Sequence, residues 1–264
     1  MTEKEILESI SRSGYLFESE IVKFLSENRY FVESNVIFQD PLTNKNREID
    51  IVAESYNGSL TDKLSCITRY FFELKNNSYP LVLLTRFQFT PNTSEELIKE
   101  ILTIPSNIDY NFYSPWKEKV YNTEEKIYTQ YCSFSKKKNN EFMASHPDEL
   151  YSSLSKLCWY CEDSKTKTNE LFEKMTNQYF RHWLYVPVLL INDDLYELDI
   201  NNGQQKLEKV KYSQLMVNFH YENTPTSSLI YVVTKNYLND WLNEMNNLEL
   251  KVRSSMREYE IKWE

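Results

Sequence analysis

The chain has 264 residues, 41% hydrophobic and 15% aromatic, enough to fill the core of one large domain or two small ones. Its formal net charge of −9 argues against a general nucleic-acid coat, which needs a broad basic face, but not against an enzyme whose acids are neutralised by bound cations. Three glycines (Gly14, Gly58 and Gly203) exclude glycine-rich phosphate loops, and no apolar run reaches membrane-spanning length.

Met1-Thr2-Glu3-Lys4-Glu5 is no signal peptide, so the expected location is the cytoplasm, with Cys66, Cys132, Cys158 and Cys161 reduced. Ile6, Leu7 and Ile10 predict a short amphipathic helix over Glu3 to Ile10, broken by Ser11-Arg12-Ser13-Gly14. Phe17, Ile21, Phe24 and Leu25 predict a second helix from about Leu16 to about Asn28. Glu18 and Glu20 both lie at the edges of its apolar face, and geometry does not choose between them. Tyr30 to Phe38 reads as the first core strand, stopped by Asp40-Pro41, and Leu42 to Asn46 as a polar turn.

Arg47-Glu48-Ile49-Asp50-Ile51-Val52-Ala53 reads as a strand with one enclosed aspartate, followed by a turn at Tyr56-Asn57-Gly58-Ser59. Ser65 to Lys75 is a second strand, rich in β-branched and aromatic residues. Side chains alternate along a strand, so Glu73 and Lys75 share a face and Leu74 takes the other. If the two strands are neighbours, Asp50 joins them there. Two carboxylates can hold Mg²⁺ or Mn²⁺, and a nearby lysine can orient a water or offset negative charge on a phosphate. Glu48 shares the parity of Asp50 but lies nearer the turn, and Arg47 could contact a phosphate, although a charge at a strand entrance is more often only solvated. The competing reading is a hairpin whose Glu73 and Lys75 are merely solvated. Phe71-Phe72 and Leu81 to Leu84 argue for burial instead, where an unpaired charge is costly.

An aspartate followed after a short gap by Glu73-Leu74-Lys75 resembles the PD-(D/E)xK nuclease superfamily, in its Mrr-like and resolvase-like branch. The resemblance implies an α/β fold: a restriction-endonuclease-like mixed β-sheet flanked by helices. An insertion would follow the catalytic strand, with extra strands and a helix at the C-terminal side. It also implies a Mg²⁺- or Mn²⁺-dependent endonuclease that hydrolyses DNA, in bacterial antiviral defence or DNA repair. Asp50 and Glu73 would then be metal ligands and Lys75 the water-orienting group. Phe17-Glu18 followed by Ile21 and Val22 fits the family's first core helix, which carries the helix acid to Glu18 as a further metal ligand, with Glu20 as fallback. Gln130 resembles the glutamine that many members place near the site. A non-catalytic nuclease-fold subunit that binds nucleic acid or a partner protein is the alternative. The acidic charge favours a protein partner or homo-oligomer in either case.

Asn76-Asn77-Ser78 leads into a strand from Tyr79 to Thr85, continuing through Phe89, and Thr93-Ser94-Glu95-Glu96 predicts a helix reaching about Ile104. Asn107 to Asn122 is aromatic and irregular, a cover for the sheet more than a base-stacking surface. Ile127 to Phe134 alternates as a strand, and the basic loop Ser135 to Asn140 is the best local candidate for phosphate contact. A long helix starts at His146-Pro147-Asp148, carries Tyr151, Leu154, Leu157 and Cys158, and resumes through Leu171, Phe172, Met175 and Tyr179. In the resembled fold it is the second core helix, packed across the sheet. Cys158 and Cys161 have zinc-like spacing without a second pair, and read as two apolar cysteines on a helix face. Tyr185 to Ile191 is a buried strand that Asn192-Asp193-Asp194 turns into a hairpin with Leu195 to Ile200. Leu215 to Tyr221 and Leu229 to Thr234 are further strands. A helix from about Tyr237 to Met256 turns Leu238, Trp241, Leu242 and Met245 inward. With no linker between halves, the expectation is one domain over 1–264, with core 11–90 and 127–264 and an insertion of about 91–126.

Overall fold

Three consecutive antiparallel strands, β1 (Phe31–Gln39), β2 (Asn46–Gly58) and β3 (Leu64–Lys75), start a mixed sheet that carries both halves of the chain. The computed structural model describes all residues except 41–43, 59–63, 88–96, 107, 113, 122–124, 147, 174–178, 202 and 261–264. Ahead of the strands lie two helices, α1 (Glu3–Ser13) and α2 (Tyr15–Glu27). The Thr2 hydroxyl accepts from Glu5 N and the Glu5 carboxylate accepts from Thr2 N, a reciprocal cap on α1. Gly14, at φ +90°, makes the corner between the helices, a conformation that side chains with a Cβ resist. Phe17, Ile21 and Leu25 of α2 are buried, as their spacing predicts.

After β3 come β4 (Leu81–Arg86), β5 (Lys99–Thr103), α3 (Pro115–Tyr121), β6 (Ile127–Lys136), β7 (Phe142–Ser145) and α4 (Asp148–Glu173). The chain continues through β8 (Phe180–Ile191), β9 (Leu195–Asn201), β10 (Gln204–Val210), β11 (Tyr212–Tyr221), β12 (Thr224–Thr234) and α5 (Leu238–Glu260). The sheet runs β1-β2-β3-β8-β12-β11-β6-β4-β9-β10, with β5 attached to β8 and β7 to β6. β8 lies parallel to β3 along its whole length, pairing Phe180 with Leu64 and Ile191 with Lys75. Its other edge changes neighbour: Arg181 to Tyr185 hold β5, and Val188 to Ile191 hold β12. Pro187 stands at that change, paired with Phe71 of β3 and with neither β5 nor β12.

Two apolar layers cover the sheet. One joins α2 and α5 to Ile51, Tyr70, Phe72, Val188 and Leu190. The other joins α4 to Phe71, Leu81, Tyr185, Leu189 and Ile230. α4 buries Leu150, Leu154, Leu157, Cys158 and Cys161, so it packs across the sheet as expected and both cysteines are apolar, free members of its inner face. In the first layer Glu249 of α5 is wholly enclosed; its carboxylate accepts from Ser55, Asn57 and Thr68, each at 2.8 Å.

Several elements differ from expectation. Lys99 to Thr103 is a strand rather than the end of a helix, because pairing with β8 outweighs the helix-forming tendency of Glu, Leu, Ile and Lys; the expected helix start at 93–96 lies outside the described residues. The segment expected as an insertion supplies this sheet strand and, through α3, the buried Trp116 and Val120. The expected turn at Tyr56 is strand, since β2 runs on to Gly58 in register with β3. α4 is continuous to Glu173, and Phe180 already belongs to β8; Met175 lies outside the described residues. Asn192 to Asp194 does not close a hairpin, because β9 pairs with β4 and β10 rather than β8.

Candidate active site

The register between β2 and β3 pairs Ile51 with Phe72, so the next step along both strands sets Asp50 opposite Glu73. Alternation along β2 slips at this point. Ile49 is buried in the layer under α4, whereas Ile51 is buried in the layer under α2 and α5. Across on β1, Asn35 has φ +56°, between the pairs Ser34–Ile51 and Val36–Ile49. Such a local irregularity re-aims a side chain. Here Asp50 Oδ2 accepts from Leu74 N at 2.7 Å, which fixes the carboxylate against the end of β3.

Glu73 is buried on the α4 side and carries two ammonium groups. Lys75 Nζ donates to its Oε1 at 2.9 Å and to Ser153 Oγ of α4 at 3.1 Å. Lys156 Nζ, also from α4, lies 2.7 Å from Glu73 Oε2 and donates to the Glu48 carbonyl oxygen at 2.5 Å. Asp50, Glu73 and Lys75 therefore converge, and a second lysine, absent from the residues singled out in the sequence, completes the group. Burial pushes the Asp50 carboxyl up, to about 6, and the neighbouring charge of Glu73 adds to this. Burial acts on Glu73 in the same sense, but Lys156 and Lys75 outweigh it and hold that carboxyl below its usual range. The first proton the pair takes up goes to Asp50.

The other candidates are placed apart from this group. Glu18 faces Glu48: the Asn35 side-chain amide, with its nitrogen turned toward both acids, lies 2.5 Å from Glu48 Oε1 and 3.1 Å from Glu18 Oε1. Partial burial and Glu48 raise the Glu18 carboxyl; the interaction is with Glu48 rather than with Asp50 or Glu73. Glu20, the fallback, is exposed and pairs with Lys235. Gln130 is placed away from the charged group's hydrogen bonds. It sits exposed on β6, where its Oε1 accepts from Thr85 at 2.7 Å; Ser133 of the same strand, not Gln130, reaches the cavity beside Lys75. Arg47 pairs with Asp40 at 3.1 Å.

Two openings flank the charged group along α4. A cavity of about 240 Å³ is lined by Lys75, Asn76, Tyr79, Ser133 and Leu150 among others, and a larger one of about 390 Å³ includes Lys156 in its wall. The donor set fits a hard cation to a limited extent. Asp50 and Glu73, two carboxylates on neighbouring strands, would be the residues to hold such an ion, which would relieve the unfavourable ionisation of Asp50; Mg²⁺ is commonly held by one or two carboxylates with several waters. Among the described residues no group of three or more His, Cys, Asp or Glu side chains stands ready to hold a metal. Asp50 and Glu73 are thus two neighbouring carboxylates with no third His, Cys, Asp or Glu grouped with them among the described residues.

No helix among the described residues is long and apolar enough to cross a membrane. Comparisons with models of protein families, with curated proteins and with solved structures gave no match, so the functional reading rests on this geometry.

Proposed function

We propose that the chain is a divalent-metal-dependent phosphodiesterase, an endonuclease acting on DNA, with Asp50 and Glu73 holding Mg²⁺ or Mn²⁺. The observation that carries this reading is the meeting of Asp50, Glu73, Lys75 and Lys156 at one end of β3, between two solvent openings. When bound there, the cation lowers the pKa of a water and offsets charge on the phosphate oxygens. Lys75, fixed by Glu73 and Ser153, is positioned to orient the attacking water or to receive a phosphate oxygen. Lys156 keeps Glu73 ionised and so ready as a ligand. Leu74 N holds Asp50 in place without neutralising it.

The finer fold assignment, a restriction-endonuclease-like sheet, is supported by the sequence of elements. A helix bearing Glu18 (α2), three antiparallel strands of which β2 bears Asp50 and β3 bears Glu73-x-Lys75, and a helix across the sheet (α4) follow in the order the resemblance implies. A cytoplasmic role in defence or repair, with a protein partner, belongs to the same proposal. The second reading, a nuclease-fold subunit that binds without cutting, is favoured by one observation: two lysines already balance Glu73. Incubating the chain with plasmid and linear DNA in Mg²⁺, Mn²⁺ or EDTA tests the proposal. Cutting that needs the metal and disappears in Asp50→Ala supports it; cutting by Asp50→Ala at the wild-type rate rejects it.

A further inference from the structure

We propose that the larger cleft beside Lys156 seats an unpaired nucleotide base, so that the site prefers single-stranded DNA over intact duplex; this deepens, and rests on, the phosphodiesterase reading. The cleft is built by one face of α4. Tyr151, Ser152, Ser155, Lys156 and Trp159 follow one another at i, i+1, i+4, i+5 and i+8, beside the stripe that enters the core. Facing them are Phe38 and Arg47 from β1 and β2, and Phe219 and His220 from β11. At about 390 Å³ the space is large enough for a flat heterocycle.

Its wall has the chemistry of a base subsite. Phe38 and Trp159 lie stacked, centroids 5.6 Å apart and planes 9° from parallel, a rigid aromatic block that needs no rearrangement to receive a ring. Trp159 also touches Tyr221, 5.7 Å away on β11, which fixes its far side. Ser155 also lines the cleft, although its Oγ is turned away from solvent. Arg47, paired with Asp40, and His220 complete the lining.

Location ties the cleft to the chemistry. Lys156 lines it and at the same time contacts Glu73, so an occupant lies next to the proposed cation site. A base inside a duplex is stacked and paired and cannot enter a concavity; an unpaired one can, and gains stacking when it does.

Fluorescence anisotropy in EDTA, where no cutting competes, compares a labelled oligothymidylate with a blunt duplex of equal length. The expected result is about tenfold tighter binding of the single strand, and loss of that advantage in Trp159→Leu. Ser152 is exposed on α4, so Ser152→Phe blocks the mouth without touching the core and gives the same answer if Trp159→Leu unfolds. Equal affinity for the two DNAs, or an undiminished preference in folded Ser152→Phe, overturns the proposal. Single-strand preference without metal-dependent cutting would leave the base subsite standing and remove the phosphodiesterase reading; cutting without preference would do the reverse.

Discussion

Lys156 Nζ lies 2.7 Å from Glu73 Oε2, so a helix laid over the sheet supplies the second cation to a buried strand carboxylate. Removing one partner of an enclosed pair leaves a charge with less compensation, and Lys75 softens the loss here. Lys156→Met is expected to cost about 2 kcal/mol in urea unfolding at neutral pH. Adding Glu73→Gln should recover most of it. Simple additivity of the two single changes would show that the contact is not energetically coupled.

Asp50 gives a stability test with a defined sign. Its carboxyl rises from 3.8 to about 6 on folding, through burial and Glu73. A carboxyl raised in the folded state contributes stability below its unfolded value and loses that contribution as pH climbs through the folded value. Above pH 7 ionised Asp50 is a burden in the metal-free protein. Asp50→Asn should therefore melt about 3 °C higher than wild type at pH 7.5 in EDTA. Mg²⁺ should raise the wild-type melting temperature and leave that of the variant where it was.

Under the proposed function the same carboxyl would set the pH dependence of cutting. Metal binding requires ionised Asp50, so single-turnover cleavage at low Mn²⁺ should rise with pH and inflect at about 6. Raising the Mn²⁺ concentration should shift the inflection downward, since the ion competes with the proton. An inflection that ignores metal concentration would separate the titration from the ligand.

Glu249 offers a control away from the site. Burial raises its carboxyl, and the bonds from Asn57, Thr68 and Ser55 only partly offset this. Glu249→Ala strands three donors in the core and should cost about 3 kcal/mol in urea unfolding. Glu249→Gln keeps the shape and should cost less. Because the folded-state value is raised, any wild-type advantage over the glutamine variant should shrink as pH rises from 5 to 8.

Glu73 and Lys75 were legible because strand alternation is a local rule: Leu74 goes to one layer, Glu73 to the other; Asp50 sits where alternation along β2 slips, a break the sequence does not show. Lys156 was not, since its partner lies in a different element and only tertiary packing brings them together. A faint signal existed. Lys156 sits with Ser152, Ser153 and Ser155 on polar positions bordering the Leu150, Leu154, Leu157 stripe, where a long side chain reaches along the sheet. The long helices and the buried strands β3, β8 and β12 followed from apolar spacing. β5 did not, because its residues favour a helix until β8 offers a ladder. β10 was missed because Gln204 to Val210 is almost entirely exposed and shows no apolar alternation. Gln130 rests on the resemblance alone, since a position on β6 does not tell which neighbour its amide meets; in the structure that neighbour is Thr85.

Pro187 divides one edge of β8 between two partners, and the sheet therefore forks. β5 is a leaf on this fork: peeling Lys99 to Thr103 away leaves the ladders to β3 and β12 closed, and with them the alignment of Asp50 against Glu73. Breathing on that side is insulated from the chemistry, so amide protons of the leaf should exchange with solvent well before those of β3.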